Sequence, residues 1–279
     1  MHAEAARIRL VVFDWAGTTV DHGCFAPVSP FIEAFRRHGV AITVGQARGP
    51  MGLEKKDHIR ALMRRPDVAA VWRDAHSREP SEADVEAVFA DFVPLQLERV
   101  ADASRLVPGL LDCVERLRAR GVRIGATTGY FAEAARRCAD AAAAQGYRPD
   151  LALCPSDVPE GRPAPWMIFR IMQELRVYPP AAVLKAGDTV PDIEEGLNAG
   201  VWSAGVTATG SIVGLTEAEF AALPLSERGR RLHDAAGTLR DAGAHDVIES
   251  VAAIPALIDE IETRLARGEM PSRQPQHTH

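Results

Sequence analysis

The first marked feature of the hydrophobic pattern is an apolar run near the start of the chain that ends on a carboxylate. Val11, Val12 and Phe13 are followed directly by Asp14, and then by small, turn-forming residues. A continuous apolar run of this length is typical of a buried strand, which we place with its turn at residues 8–20. Open α/β sheets bind their ligands at the carboxyl edge, so the pattern predicts that Asp14 lies at a functional edge.

From about residue 25 to residue 100 the pattern is helical and contains little that resembles a strand. Apolar residues recur at helical spacing over 28–38 and 55–63, and the capping sequence S-E-A-D opens a third helix at 81–98. An insert at this point of the chain lies over the edge that carries Asp14. We therefore predict a helical cap at residues 25–100 that closes on a substrate and excludes water.

After Pro108-Gly109, strand and helix patterns alternate, which is typical of βαβ units and a parallel sheet. The predicted fold class is α/β, a doubly wound parallel-sheet core with a helical cap domain inserted after the first strand. The core is expected at 1–24 and 101–267, followed by a disordered tail at 268–279, and a helical stretch over 215–240 is expected to cover an edge of the sheet. The other predicted strands are 122–127, 151–153, 183–186, 201–206 and 245–248, and the other helices are 110–120, 132–145, 166–175, 192–199 and 254–267.

Composition and charge narrow the class of protein. The chain has 279 residues, of which 47% are hydrophobic and 25% are charged, as in ordinary globular proteins. A formal net charge of −6 argues against nucleic acid or an anionic membrane as a partner. The four cysteines show no C-x-x-C spacing of the kind found in zinc sites and redox pairs, and no run approaches the roughly 20 apolar residues of a membrane span. These features predict a soluble, cytoplasmic protein.

Lysine is rare in this chain, because Lys55, Lys56 and Lys185 are the only lysines among 32 basic residues. The base composition of the genome explains a general preference for arginine. A lysine amine, however, can lose its proton and condense with a carbonyl, whereas a guanidinium stays protonated. The scarcity of lysine is therefore a weak indication of a lysine that forms a Schiff base.

Polar groups follow the later strands at positions that can meet Asp14. Thr128 and the glycine after it offer a hydroxyl and backbone N–H groups to a phosphoryl oxygen, although an ordinary turn has the same composition. The guanidinium of Arg162 matches a phosphate, although isolated arginines are usually solvated. Asp188, with Asp192 four residues later, suits Mg²⁺, and the same pattern also occurs where an aspartate only caps a helix. Because these groups stand at successive strand ends, one fold brings them together.

The order of these groups resembles the motif order of the haloacid dehalogenase superfamily. Phosphotransferases of that superfamily usually carry D-x-D, in which the first Asp attacks phosphorus and the second protonates the leaving oxygen. Here Ala16 stands in place of the second Asp. Taken together, D-W-A-G-T-T-V-D, P-M-G-L-x-K, T-T-G-Y, G-R-P-x-P-W and G-D-T-V-x-D are similar to the motifs of the phosphonoacetaldehyde hydrolase family, and the similarity extends from about Ile8 to Asp246.

This resemblance implies a Mg²⁺-dependent homodimer that hydrolyses a small-molecule phosphonate, phosphonoacetaldehyde, to acetaldehyde and phosphate. Asp14 would be the nucleophile, and Lys55 would be the cap lysine that forms an imine with the aldehyde. Asp14, the backbone carbonyl of Ala16 and Asp188 would bind the metal, with Asp192 nearby through water or a hydrogen bond. Thr128, Gly129 and Arg162 would bind the phosphonate. The residues that would line or tune the pocket are Cys24, Met51, His58 and Tyr130.

The chemistry of the residues agrees with these implied roles. Cleavage of a carbon–phosphorus bond expels a carbanion that is too basic to leave unaided. A protonated imine on Lys55 would act as an electron sink and release the carbon as an enamine, so that no acid is needed at position 16. Lys56 points about 100° away on the helix, whereas His58 shares the face of Lys55 and could transfer protons. The alternatives are a haloacid dehalogenase, which needs no Mg²⁺, a phosphomonoesterase, and a non-catalytic binding protein.

Overall fold

A six-stranded parallel sheet forms the centre of the protein, whose computed structural model describes residues 7–272. The strands are Leu10–Asp14 (β1), Arg123–Thr127 (β2), Leu151–Leu153 (β3), Val183–Gly187 (β4), Trp202–Val206 (β5) and Asp246–Ile248 (β6). Their order is β3-β2-β1-β4-β5-β6 and every neighbouring pair is parallel. The chain therefore winds outward in both directions from β1, and the predicted doubly wound fold is confirmed. Within the described part of the chain, no helix combines the length and the apolar character needed to cross a membrane.

Helices surround this sheet and fill the long connection between β1 and β2. In chain order they are Val28–Arg37 (α1), Val44–Arg48 (α2), Lys55–Arg64 (α3), Pro66–His76 (α4), Glu82–Ala103 (α5), Leu110–Ala119 (α6), Ala132–Ala144 (α7), Trp166–Glu174 (α8), Val190–Ala199 (α9), Glu217–Ala222 (α10), Leu225–Asp241 (α11) and Ile254–Ala266 (α12).

Strand β1 is buried on both faces, which explains its continuous apolar sequence. Successive side chains of a strand point to opposite faces. Leu10 and Val12 accordingly pack in the cluster that contains the buried residues of α8. Val11 and Phe13 pack in the larger cluster that contains those of α6, α7 and α12. Two layers of helices thus fix β1, and with it the position of Asp14 at its carboxyl end.

Helices α1 to α5 form the predicted helical cap after the first strand. The long helix α5 packs against α1 and α3, and on its other side against α7 of the core. Phe31 is a central side chain of this cap, because its ring stacks on Phe92 at 4.3 Å and on His58 at 3.9 Å between ring centroids. The cap therefore has its own aromatic core and also rests on the sheet domain.

The two connections between the sheet and the cap run side by side. Val20 and Leu106 form an isolated antiparallel bridge. The backbone N–H of Val107 donates to the carbonyl of Thr19 at 3.0 Å, and the N–H of Asp21 donates to the carbonyl of Arg105 at 3.0 Å. The chain thus returns from the cap at the place where it entered it.

Most predicted elements are found within one or two residues of their expected ends. The helices α2 and α4 were not predicted as separate elements. The stretch expected to be helical over 215–240 forms two helices, because Leu223-Pro224 separates α10 from α11, and proline disfavours helical conformation in the preceding residue. In the region predicted as a tail, Glu269 forms an ion pair with Arg264, and residues 273–279 lie outside the described part of the chain. The predicted boundaries of the core and cap stay predictions.

Candidate active site

Asp14 lies at the bottom of a cavity between the carboxyl edge of the sheet and the cap. The free volume between the side chains is small, about 20 Å³, which is enough for about one water molecule. Both parts of the chain contribute to the walls. The lining residues are Asp14, Ala16, Thr128, Gly129, Tyr130, Arg162 and Thr189 on the side of the sheet and Cys24, Pro27, Met51, Gly52 and Lys55 on the side of the cap.

An acidic cluster stands at this edge, where ligand oxygens of Asp14, Asp188 and Asp192 lie within 4.8 Å of one another. Burial, together with the charge of Asp192, raises the pKa of Asp14 to about 6. Burial and the charges of both other aspartates raise the pKa of Asp188 to about 8. Both shifts arise first from burial and then from repulsion between the carboxylates, so a nearby positive charge would favour their ionised forms. Clustered carboxylates are the oxygen donors that a hard divalent cation such as Mg²⁺ prefers, so the residues present fit that ion.

The individual contacts distinguish the three aspartates. Asp188 is oriented on both sides, because its Oδ1 accepts from the hydroxyl of Thr18 at 3.0 Å and its Oδ2 accepts from the backbone N–H of Ser211 at 2.8 Å. Asp192 instead accepts hydrogen bonds from Thr189 at the start of α9. Asp192 is thus partly committed to capping its own helix, and its indirect role beside a metal ion stays a prediction.

Two buried cations face these carboxylates. Arg162 Nη1 lies 2.8 Å from Asp14 Oδ1 and 2.9 Å from Asp192 Oδ1. Lys185 Nζ lies 2.8 Å from the same oxygen of Asp192. Burial opposes the ionisation of Asp192, but these two cations outweigh it and hold its pKa below the ordinary value. Arg162 therefore bridges Asp14 and Asp192 within the acidic cluster.

Glu195 and Thr127 hold Arg162 from behind. Arg162 Nε donates to Glu195 Oε2 at 3.0 Å, and Arg162 Nη2 donates to the hydroxyl oxygen of Thr127 at 2.6 Å. That hydroxyl also accepts from Lys185 at 2.9 Å and donates to Glu195 at 3.1 Å. The guanidinium is consequently fixed on every edge. When all six groups are ionised, the four carboxylates carry two more negative charges than the two cations carry positive ones. One Mg²⁺ would neutralise this excess. The charged members are Asp14, Asp188, Asp192, Glu195, Arg162 and Lys185.

Lys55, the first residue of α3, is the cap's basic group in the cavity, and only 4% of its surface is exposed. Its Nζ lies 5.1 Å from the centre of the Tyr130 ring and 5.9 Å from that of Phe31. Burial lowers the pKa of Lys55, although the negative charge of Asp14 opposes this effect. A lower pKa increases the fraction of neutral amine, which is the form that attacks a carbonyl.

His58 lies one turn further along α3 and is fully buried. Its Nε2 donates to the carbonyl of Ala47 at 2.9 Å, which assigns the neutral tautomer with the proton on Nε2. Its Nδ1 has no hydrogen-bond partner among residues 7–272. Burial, followed by the charge of Lys55, keeps the pKa of His58 well below 6.5. The ring is therefore neutral near pH 7, with an acceptor nitrogen available.

The loop after β2 is in very close contact with the cap. Gly129 shows this best, because a Cβ placed on it would lie 2.4 Å from the carbonyl oxygen of Leu53 and 2.9 Å from that of Gly52. Beside it, the backbone N–H of Tyr130 donates to the hydroxyl of Thr128 at 3.1 Å. Only glycine permits this approach of the two backbones. The cap loop thus closes directly over the position expected for a phosphonate group.

Comparison with known proteins assigns the family. Residues 8–200 match the family model described as haloacid dehalogenase-like hydrolase. A phosphonoacetaldehyde hydrolase from Syntrophobacter fumaroxidans is 49% identical over 95% of each chain, and one from Paraburkholderia phytofirmans is 45% identical over 95% of this chain and 99% of its own. This chain belongs to the phosphonoacetaldehyde hydrolase family of haloacid dehalogenase-like hydrolases. The crystal structure of a phosphonoacetaldehyde hydrolase like protein from Oleispira antarctica agrees, with a TM-score of 0.93, 38% identity and coverage of 96% of this chain and 97% of that one.

In this member of the hydrolase family, the fold brings most of the site residues predicted from the sequence into one cavity. Asp188 lies beside Asp14 in the acidic cluster, with Asp192 next to it. His58 is the predicted site residue that stands apart, since it lies behind Lys55 and outside the cavity wall. The predicted residues in the cavity wall are Asp14, Ala16, Cys24, Met51, Lys55, Thr128, Gly129, Tyr130 and Arg162.

Sequence reasoning missed the residues that support this hydrolase site from behind. Thr127 was predicted only as the last residue of the strand at 122–127, and Lys185 only as a lysine within the strand at 183–186. Glu195 lies on α9 one turn after Asp192, which is the one signal that could have indicated it, because residues three apart share a helix face. The spacing of Asp192 and Glu195 did not show which residue Glu195 would contact. These three residues surround Arg162.

Proposed function

We propose that this protein hydrolyses the carbon–phosphorus bond of phosphonoacetaldehyde to acetaldehyde and inorganic phosphate. The observation that carries the proposal is the shared cavity of Asp14 and the buried cap lysine Lys55, with Ala16 at the position where a phosphatase of this superfamily has an acid. The names of the most similar relatives support the same substrate. The acidic cluster argues against a dehalogenase, which has no use for a metal.

The first step is condensation of the Lys55 amine with the substrate aldehyde, which releases water and forms an imine. Burial favours the neutral amine, and we propose the Nδ1 atom of His58, which has no hydrogen-bond partner among residues 7–272, as the proton acceptor. Protonation of the imine converts it into an electron sink for the adjacent C–P bond. The electron pair of that bond then remains with carbon as a neutral enamine.

The second step is transfer of the phosphoryl group to Asp14. Its carboxylate attacks phosphorus in line as the C–P bond breaks, which gives an aspartyl phosphate. Arg162 contacts the nucleophile oxygen and is in place to balance charge on the phosphoryl oxygens, while Thr128 and Gly129 offer the hydroxyl and backbone N–H groups on the other side. When bound, Mg²⁺ would be held by Asp14, the carbonyl of Ala16 and Asp188, and would supply charge neutralisation between the two anions.

The remaining steps consume water. One water molecule hydrolyses the aspartyl phosphate to inorganic phosphate, and a second hydrolyses the imine after the enamine has taken up a proton on carbon. Tyr130 and Cys24 stay neutral throughout, because burial raises both of their pKa values well above ordinary. Together with Met51, they form a wall of low polarity around the imine, which strengthens the electrostatic contacts at Asp14.

The size of the cavity implies movement of the cap. A free volume of about 20 Å³ does not admit phosphonoacetaldehyde, so the described arrangement corresponds to the closed state of the cap. We place the moving unit at residues 25–100, between the paired linkers. The resemblance further suggests a homodimer in the cytoplasm, which light scattering after size-exclusion chromatography and cell fractionation would check.

A coupled assay tests the proposed reaction. Alcohol dehydrogenase should report acetaldehyde from phosphonoacetaldehyde in equal amount to phosphate, and the reaction should require Mg²⁺. Asp14→Asn should abolish phosphate release, because an amide cannot accept the phosphoryl group. Phosphate release without acetaldehyde, or comparable turnover of p-nitrophenyl phosphate, would show an ordinary phosphatase instead.

Chemical trapping tests the imine. Borohydride added with the substrate should inactivate both the wild-type enzyme and Asp14→Asn, and peptide mapping should find the label on Lys55. Lys56 is the matched control, because it is adjacent in sequence and pairs with Glu86 outside the cavity. A label on Lys56 or Lys185 would contradict the assignment.

A further inference from the structure

Arg48, at the end of α2 in the cap, reaches across to the sheet domain. Its Nη1 donates to the carbonyl of Gly23 at 2.7 Å and to the carbonyl of Ser211 at 3.1 Å, and its Nη2 reaches the carbonyl of Gly214 at 3.5 Å. The guanidinium also lies 4.9 Å from the centre of the Phe25 ring. Within residues 7–272 it forms no ion pair. Its charge is therefore directed at the carbonyl oxygens of one linker and one core loop and at the ring of Phe25.

The core loop that Arg48 contacts also holds a predicted metal ligand. The N–H of Ser211 donates to Asp188 Oδ2 at 2.8 Å, so the same residue accepts from the cap and donates to the acidic cluster. A Cβ on Gly210 would lie 2.8 Å from the Cβ of Asp188, which shows how tightly the loop wraps this aspartate. Only one residue thus separates the cap guanidinium from the Asp188 carboxylate.

The loop is shaped to receive this arginine. Gly214 has a φ of +62° and its Cβ position would lie 3.0 Å from Arg48 Cζ, so a side chain there would be strained and would push the guanidinium away. Thr209 ties the same loop to the segment that follows β1, because its hydroxyl donates to the carbonyl of Gly17 at 2.6 Å and its carbonyl accepts from the N–H of Gly23 at 2.7 Å. Movement of Arg48 with the cap would therefore act on a loop that contacts both Gly17 and Asp188.

We propose that Arg48 is a positioning residue that couples closure of the cap to the placement of Asp188. In the closed state it fixes the Ser211 loop, and that loop orients the carboxylate toward the metal position. The arrangement makes phosphoryl transfer depend on the closure that brings Lys55 over the substrate. The expected effect of Arg48 on kcat rests on the proposed function. The coupling between Arg48 and Asp188 does not, because it is measured by metal binding.

The test compares Arg48→Met and Arg48→Lys with the wild type, using Mn²⁺ as the probe. Binding is followed by electron paramagnetic resonance of free Mn²⁺, without substrate. Arg48→Met should weaken Mn²⁺ binding by about tenfold and lower kcat by ten- to a hundredfold, as losses of residues that orient metal ligands commonly do. Arg48→Lys should restore part of both, because it keeps a donor and the charge. The matched control is Arg73→Met, which removes an exposed cap arginine paired only with Glu79 among the described residues.

Two results would overturn the proposal. The first is a folded Arg48→Met variant that binds Mn²⁺ as tightly as the wild type and differs only in a higher KM. Arg48 would then hold the cap on the sheet domain without affecting Asp188. The other is an equal loss of Mn²⁺ affinity in Arg73→Met. Circular dichroism confirms folding, and if Arg48→Met does not fold, Arg48→Lys must show weakened Mn²⁺ binding by itself. Borohydride labelling of Lys55 and phosphate release by the wild type report separately on the proposed function.

Discussion

The buried cation Lys185 offers a quantitative test of how the active site is held together. Its side chain has no exposed surface, and its Nζ lies 2.8 Å from Asp192 Oδ1 and 3.3 Å from Glu195 Oε2. Replacement by methionine keeps most of the volume and removes the charge. Asp192 and Glu195 would then share Arg162 as their only cation among the described ion pairs.

The size of the effect follows from burial. Two unit charges 2.8 Å apart attract each other by about 6 kcal/mol at an effective dielectric constant of ~20. Desolvation offsets part of this attraction, and removal of one partner from a buried pair typically destabilises by about 3–5 kcal/mol because the other charge stays uncompensated. We expect a cost in this range for Lys185→Met. For a protein of this size, it corresponds to a fall in Tm of about 10 °C.

A double-mutant cycle with Glu195→Gln separates charge balance from packing. Lys185→Met removes a positive charge and Glu195→Gln removes a negative one, so each single variant changes the total charge of the cluster, whereas the double variant keeps it. The double variant should therefore be more stable than the sum of the single effects predicts, by about 1–3 kcal/mol. Glu195→Gln should also lower kcat, because Glu195 aligns Arg162 through Nε.

Urea unfolding followed by tryptophan fluorescence measures the cycle, since Trp15 and Trp202 are buried in the core. The matched control is the pair Lys56 and Glu86, whose charged atoms also lie 2.9 Å apart but near solvent. Exposed pairs contribute about 0–1 kcal/mol, so the control cycle should be nearly additive. Additive effects of Lys185→Met and Glu195→Gln, or a cost as small as that of Lys56→Met, would refute the argument.

Three further predictions concern the reaction. Lys55→Arg should lose activity by about 10⁴-fold or more while Lys56→Arg stays close to wild type in kcat, because a guanidinium cannot form the imine; a tenth of wild-type activity would contradict the Schiff-base step. Gly129→Ala should lower kcat/KM by about a hundredfold, because its Cβ would lie 2.4 Å from the carbonyl of Leu53 and hold the cap loop away; unchanged kinetics would show that this contact is dispensable. Mg²⁺ should bind more tightly at pH 8 than at pH 6, because it competes with the proton on Asp188, whose pKa burial raises to about 8; calorimetry showing no proton release would contradict this.

The sheet was predictable because its strands carry unambiguous local signals. The apolar run before Asp14 and the glycine after α9 mark element ends that the structure reproduces. The helix α2 was missed because it has only five residues, and hydrophobic periodicity needs a longer window. The break at Leu223-Pro224 was missed because the surrounding residues favour helix so consistently. Length alone does not decide the outcome, since α4 with 11 residues was also missed, whereas β3 with 3 residues was predicted.

The reactive face of the site was predictable because each of its groups follows a strand or a recognisable motif. The support behind Arg162 was not, because Thr127, Lys185 and Glu195 come from three separate elements that meet only through the strand order. A lysine inside an apolar strand gives no indication that it faces carboxylates. His58 shows the converse case, since helical spacing correctly placed it near Lys55, while its stacking on Phe31 depends on the fold of the cap. Its predicted role in proton transfer stays a prediction.

The paired linkers at Thr19–Asp21 and Arg105–Val107 have a consequence for how such an enzyme can be rebuilt. Since the chain leaves and re-enters the sheet domain at adjacent, hydrogen-bonded points, the intervening segment can be exchanged as a cassette without changing the path of the remaining chain. The sheet domain would supply the residues for phosphoryl transfer, and the exchanged segment would supply the group that accepts electrons from carbon. Grafting a different cassette onto the same two points is therefore a rational route to new leaving-group chemistry on an unchanged nucleophile.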